Sequence, residues 1–213
     1  MPLDRELILR ATNDDADPWL IGNAALYQLC RDHPRHSDER AVIAKLWLIG
    51  RAYAAAIERR KPDRSAIVGD RFYTEVIGPA IARSKLDRFL AKLPARGDPA
   101  SSATVALQLH GFLVTEFRKL TGLEKRSLAS KYLHFHRPDI FFIYDDRAVK
   151  AVRRLRTIAP FRPPAVQSGT DREYSNFFHG VLSIRDHIHS HWKTLLSPRQ
   201  IDRVFLEIAA SET

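Results

Sequence analysis

The chain has 213 residues, 45% of them hydrophobic, enough for a packed core and too apolar for a disordered chain. Its 34 Lys and Arg outweigh 25 Asp and Glu for a net charge of +9, and its single cysteine excludes an internal disulfide and any zinc or iron–sulfur site built on thiolates. The longest apolar run, "LWLIGRAYAAAI", is broken by Arg51, and "MPLDRELILR" has early charges where a signal peptide would be apolar. A soluble, cytoplasmic protein with no membrane partner is the expectation.

Helical periodicity runs through nearly the whole chain, so the expected fold class is all-α. "PWLIGNAALYQLCR" predicts a helix over residues 19–31. "SDERAVIAKLWLIGRAYAAAIERRK" predicts a longer one, capped by Ser37, favoured at its start by Asp38 and Glu39, and stopped by Pro62 behind three cations. Apolar residues cover most of its circumference, which predicts a central, buried helix. Shorter helices are expected over 70–77 and 79–93. "PARGDPASS", residues 94–102, reads as a loop and as the boundary between two lobes of one domain, 1–95 and 103–213, flanking a cleft.

"ATVALQLHGFLVTEFRKL" predicts a long helix ending at Thr121-Gly122. A tight turn, "TGLEKR", leads to a helix through His136, and a further helix is expected over 146–158. "PFRPPAVQSGT" is a loop, and "YSNFFHGVLSIRDHIHSHW" and "SPRQIDRVFLEIA" are the closing helices. The last carries a capping box, Ser197 with Gln200, and a proline at its first position. Strand signals are confined to residues 140–144 and the short "SAIVGD".

The excess charge is local. Arg118 to Arg162 carries 12 basic and 4 acidic residues, a net of +8. A basic stripe of this kind suits a phosphate-bearing partner, the plain alternative being a solubilising surface. Within it, "IFFIYDD" places Asp145 and Asp146 directly after an apolar run and before an arginine-rich segment. On the helix that follows, Arg147, Lys150 and Arg154 share one face and Ala148, Val152 and Leu155 another. The polar face can track a phosphate backbone. Asp145 reads either as an ordinary helix cap or as a placed carboxylate, and Asp146 as an acid favoured in the first turn.

"LTGLEKRSLASKYLHFHRPDIFFIYDDRAV" resembles the helix–hairpin–helix DNA glycosylase superfamily, above all its 8-oxoguanine-type branch. Leu120-Thr121-Gly122-Leu123 falls on the hairpin, and Ile143-Tyr144-Asp145 ends the apolar connector, 23 residues beyond Gly122. "REYSNFFHGVLSIRDHI" is similar to an aromatic late helix of members. Glu124 stands where the hairpin has its second glycine, and the position of the nucleophilic lysine falls near Arg126 or Ser127, with Lys125 before it and Lys131 one turn beyond. The resemblance implies an enzyme that flips a modified or damaged base out of double-stranded DNA and hydrolyses its N-glycosidic bond, in base-excision repair or anti-phage defence. It implies Asp145 as the carboxylate that stabilises the sugar cation, Lys131 or Lys125 as a Schiff-base nucleophile, and Gly122, Arg126, Arg147, Lys150 and Arg154 as DNA contacts. Tyr144, His134, Phe177 and Phe178 are candidates for the base pocket. Strand-cleaving lyase activity is left open.

Other constellations compete. His187 and His191 lie at i and i+4 with no third ligand, so no metal and no cofactor is expected. Arg185, Asp186 and His191 match the arginine–polar–four–histidine spacing of HEPN ribonucleases, with Arg185 on the scissile phosphate and His191 as acid or base. A non-catalytic DNA-binding module keeping only the hairpin and the basic helix is the third reading. His134 and His136, two residues apart, read as capping or packing groups. Among Trp19, Tyr27, Trp47, Tyr174, Phe177 and Phe178 a base-stacking pair is one reading and core packing the other.

Overall fold

Aspartate caps open most of the long helices. Asp4, Asp38, Asp98, Asp145 and Asp171 each accept a first-turn backbone amide with a side-chain oxygen. The structure is a computed structural model describing residues 3–58, 67 and 69–210. It is all-helical, with no strand among the described residues. In chain order the helices are α1 (Arg5–Thr12), α2 (Leu20–Asp32), α3 (Glu39–Ala52), α4 (Gly78–Ala82), α5 (Leu86–Leu90), α6 (Pro99–Thr121), α7 (Arg126–His136), α8 (Asp146–Leu155), α9 (Arg172–Trp192) and α10 (Pro198–Ala210).

Several boundaries differ from expectation. The cap of α3 is Asp38, not Ser37, and α3 ends at Ala52, ten residues before Pro62. The chain turns back there: the Ala55 amide donates to the Gly50 carbonyl at 2.7 Å, and Ala54 takes the left-handed φ of 51°. The cations at 59–61 and half of "SAIVGD" lie outside the described residues. The helix expected over 70–77 is a π-type turn, Phe72–Ile77. The one expected over 79–93 splits into α4 and α5, with Ser84 accepting the Leu86 amide at the break. The loop expected over 94–102 is shorter, because Asp98 caps α6 and Pro99 takes its first position. The capping box of α10 forms as expected: the Ser197 amide donates to Gln200 at 2.9 Å and the Gln200 amide to Ser197 Oγ at 3.2 Å.

The central helix is α7 rather than α3. Residues 128–135 of α7 are buried without a break, whereas Trp47 and Leu48 of α3 are about two-fifths exposed. α2 and α3 pack on one side of α7 and α6 on another; α9 packs on α6 and α8, and α10 on α8 and α1. One buried apolar cluster runs from Leu7 of α1 through Leu46, Phe117, Tyr132 and Phe178 to Ile208 of α10. Helices of the 1–95 half therefore pack directly on helices of the 103–213 half. Within this apolar centre α7 carries Ser130, Lys131 and His134, all buried. Burying such groups is unfavourable unless each finds a partner, which makes them the natural starting point for a site.

Candidate active site

The turn between α6 and α7 is closed by Gly122. Its φ of 71° lies in the left-handed region, where glycine has no Cβ penalty, and its amide donates to the Arg118 carbonyl at 2.8 Å. Thr121 Oγ1 donates to the Phe117 carbonyl at 2.7 Å, and the Leu123 amide donates to that oxygen at 3.2 Å. Lys125 precedes α7 without a side-chain cap, as Trp19 precedes α2, whereas aspartates cap α1, α3, α6, α8 and α9.

The connector at 140–144 leaves a turn at Ile140 and pairs with no strand among the described residues. Ile140, Phe141, Phe142 and Ile143 are all at most 2% exposed. The Ile140 and Phe141 amides donate back to the Arg137 carbonyl at 3.1 and 3.2 Å, and side chains engage other backbone groups of the connector. His134 Nδ1 donates to the Phe141 carbonyl at 2.8 Å, Tyr174 to the Phe142 carbonyl at 2.9 Å, and the Tyr144 amide donates to Ser130 Oγ at 2.9 Å. Buried main-chain groups need such partners, and here α7 and α9 supply them. With Nδ1 donating, His134 Nε2 accepts from the Tyr27 hydroxyl at 2.7 Å. Burial pushes the His134 ring down to about 4, so it is neutral near pH 7.

The connector delivers Asp145 to the start of α8. One carboxylate oxygen caps the helix, accepting the Ala148 amide at 3.1 Å. The other lies 3.3 Å from Lys131 Nζ, which also donates to Ser127 Oγ at 2.9 Å. The Lys131 side chain is 3% exposed and that of Asp145 18%. The ring of Tyr53, just past α3, lies 5.5 Å from the ammonium, within cation–π range.

A second layer comes from α10, and the sequence reading missed it. Asp202 is buried, pairs with Arg199 at 2.8 Å and lies within electrostatic reach of Asp145, Lys131 and Arg147. Burial pushes its carboxyl up to about 6; Arg199 opposes this, Asp145 adds to it, and Lys131 and Arg147 pull it down. Arg199 and Arg203 both reach Asp17, at 3.2 and 2.9 Å. Burial opposes ionisation of Asp17, but the Trp19 amide and the two guanidiniums outweigh it and hold the carboxyl below its usual range. A signal existed in "SPRQIDRVFLEIA": Arg199, Asp202 and Arg203 stand at helical spacing among core residues, a pattern more charged than a buried face needs.

The structure sorts the other candidates. Of the two lysines, Lys131 reaches Asp145, whereas Lys125 Nζ donates to the Ala56 carbonyl at 3.1 Å. Arg126 is held internally by Asp171 at 2.8 Å, by Glu173 at 3.4 Å and by Glu124, which leaves little of its guanidinium for a DNA phosphate. Arg147, Lys150, Arg153 and Arg154 are all exposed along α8, and Arg154 also donates to the Ile208 carbonyl at 2.9 Å. His134 and Phe178 have no exposed surface and Phe177 is 5% exposed, so these three pack behind the connector rather than lining an open pocket. Tyr144 is half-buried, edge-on to Phe177 at 5.1 Å, with its hydroxyl donating to Glu173 at 3.3 Å.

Arg185 and His191, the pair of the ribonuclease reading, stand in different surroundings. Arg185 is buried, bonded to the Leu196 carbonyl at 2.7 Å and to Asp98, the cap of α6, at 2.8 Å. His191 is exposed and stacks on His187 at 4.0 Å. Six residues on a helix place the two about 120° apart around its axis. Among the described residues no cluster of His, Cys, Asp or Glu could hold a metal, and no helix is long and apolar enough to cross a membrane. No family model, no curated protein and no solved structure matches this chain.

Proposed function

We propose that this protein is a DNA glycosylase of the helix–hairpin–helix kind, acting in the cytoplasm on a modified or damaged base flipped out of double-stranded DNA. The observation that carries the reading is the Lys131–Asp145 pair, 3.3 Å apart and largely shielded from water at the end of a rigid apolar connector. Breaking an N-glycosidic bond builds positive charge at C1′ of the sugar. A fixed carboxylate stabilises that charge, and low surrounding polarity strengthens the effect. Asp145 has this role. Lys131, after giving up a proton, attacks C1′; the C1′–N bond breaks, its electron pair leaves with the base, and the base takes up a proton. The C1′–O4′ bond of the aminal so formed then breaks, a proton passing from the lysine nitrogen to O4′, and the resulting Schiff base either hydrolyses or goes on to strand cleavage. Where water attacks instead, Asp145 serves alone.

The remainder of the face fits a duplex. Arg147, Lys150 and Arg153 line the exposed side of α8, and the uncapped start of α7 offers backbone amides to a phosphate. Trp19 and Ile21 are 68% and 86% exposed at the start of α2, two and four residues from Asp17, which anchors the α10 layer. Apolar side chains so placed can fill the gap left by an extrahelical base. Base-excision repair and defence against phage DNA with modified bases both use this chemistry.

The test is release of abasic sites from oligonucleotides carrying oxidised, deaminated, alkylated and glucosylated bases, with a parallel borohydride trap. Wild-type activity that disappears in Asp145→Asn, with a trapped adduct that disappears in Lys131→Met, is the expected result. A non-catalytic DNA-binding module is the second reading, favoured by the 3% exposure of Lys131. It requires salt-sensitive duplex binding unchanged in Asp145→Asn and no abasic product from any substrate.

A further inference from the structure

A groove of about 660 Å³ lies between α5 and α6, away from the Lys131–Asp145 pair. That volume is within the roughly 300–1,000 Å³ usual for small-molecule sites. One wall is α6. The other comprises the break between α4 and α5, the start of α5, and the backbone at Ser168 and Gly169. The last part is held close: a Cβ on Gly111 of α6 would come within 2.3 Å of the Gly169 carbonyl oxygen, so helix and loop touch through their main chains.

Three features of the groove point the same way. Phe89 of α5 and Phe112 of α6, both partly buried, stack at 4.7 Å with 24° between their planes and give it an aromatic wall. Arg83 and Lys85 stand at its mouth, and among the described residues neither pairs with a carboxylate. The one acid of the groove, Glu116, is engaged by Lys119 at 2.6 Å. The cationic character extends beyond the groove. Residues 78–97 carry five Lys and Arg against one acid, Asp87, and that acid is bonded to His36. Finally, the Gln108 side chain makes no hydrogen bond among the described residues, and Thr115 has its hydroxyl proton directed to the Gly111 carbonyl, leaving its oxygen free to accept.

We propose that this groove binds an aromatic phosphate, with the ring against the Phe89–Phe112 wall, Gln108 and Thr115 on its polar edge, and the phosphate against Arg83 and Lys85. A nucleoside monophosphate meets all three requirements, either free or as one unit of a single-stranded DNA. Stacking on an aromatic side chain contributes about 1–3 kcal/mol per base, and a paired cation cluster supplies the salt-dependent remainder. The inference does not rest on the glycosylase reading, since none of these residues touches Asp145 or Lys131.

The test is calorimetric titration of the full chain with a deoxynucleoside 5′-monophosphate, the matching nucleoside, inorganic phosphate and a short single-stranded oligonucleotide. The monophosphate is expected to bind at least tenfold more tightly than nucleoside or phosphate. Arg83→Ala/Lys85→Ala should weaken it at least tenfold, and Thr115→Trp, which fills the groove, should abolish it. Thermal midpoint and any base-excision activity should stay unchanged in the double variant. An oligonucleotide that binds more tightly than the monophosphate, and loses that advantage in the same variants, identifies a DNA strand as the source; equal affinity identifies the free nucleotide. Phosphate binding as tightly as the nucleotide, monophosphate binding that survives Thr115→Trp, or no binding at all would overturn the proposal.

Discussion

Asp145 holds α8 with one carboxylate oxygen and Lys131 with the other. A cap and a charge partner are therefore the same group, and the two roles separate by substitution. Asparagine is as good a helix cap as aspartate, so Asp145→Asn keeps the cap and leaves a buried ammonium without its counter-ion. We expect a loss of about 1–3 kcal/mol by urea denaturation, below the full buried-pair value because Asp145 is partly exposed. Asp145→Ala should cost about 1 kcal/mol more. Asp145→Asn/Lys131→Met should recover most of the first loss, since the pair is then removed whole. Additive losses in the double variant would show that the two groups are not coupled.

Acid titration has a defined sign. Burial lowers His36 and His134 to about 4, His110 to about 3, and His136 well below its usual value. Each binds its proton more readily in the unfolded chain, so each contributes stability that is complete above about pH 6.5 and lost as pH falls toward 4, at up to about 1.4 kcal/mol per pH unit. Asp202, raised to about 6, acts oppositely over the same window: its folded form prefers the proton, so its contribution is lost as pH rises through 6. The four histidines outnumber it, and net stability should fall from pH 6.5 to 4. In Asp202→Asn the fall should be steeper by about one proton's slope. Urea midpoints at half-unit pH steps measure this, and an unchanged slope would show that Asp202 titrates normally.

Duplex binding should distinguish the exposed cations from the internal one. Arg147→Glu/Lys150→Glu is expected to weaken binding and lower the magnitude of the salt slope by about 2, with little change in stability. Arg126→Ala should behave in the reverse way. Its guanidinium joins Asp171, Glu173 and Glu124 across two helices, so the loss should appear in thermal stability more than in the salt slope. Gel-shift titrations between 50 and 200 mM salt, beside melting curves, read both quantities.

Arg185 and His191 should likewise part company. Arg185→Ala removes the bonds to Asp98 and the Leu196 carbonyl and is expected to cost about 2–4 kcal/mol, whereas His191→Ala should stay within about 0.5 kcal/mol. A ribonuclease built on this pair would lose RNA cleavage in both variants with His191→Ala fully stable, and that result would displace the glycosylase reading.

Local chemistry wrote much of the fold into the sequence. Helical periodicity, proline and glycine punctuation, and the capping box of Ser197 with Gln200 act over a few residues, and the all-α class follows from them. The turn at Gly122 and the start of α8 at Asp145 were legible for the same reason. Boundaries failed where packing overrode pattern. The apolar run past Ala52 reads as helix, yet the chain turns back at Ala54. The apolar run at 140–144 reads as a strand, yet side chains of α7 and α9 satisfy its backbone.

The sequence by itself determined that the chain is helical, basic over one stretch, and supplied with an aspartate at the end of an apolar connector. It could not determine which lysine meets that aspartate, because Lys125 and Lys131 both lie near the expected position and only the folded chain sets Lys125, before α7, against Ala56 and Lys131, within α7, against Asp145. Nor could it bring Asp202, more than 50 residues downstream and paired with Arg199, within electrostatic reach of the pair. Periodicity reports which face of a helix is buried, not which other helix lies against it. The packing of α10 on α8, and of α2 and α3 on α7, brings those charges together, and that contact is decided by the shape of the whole core.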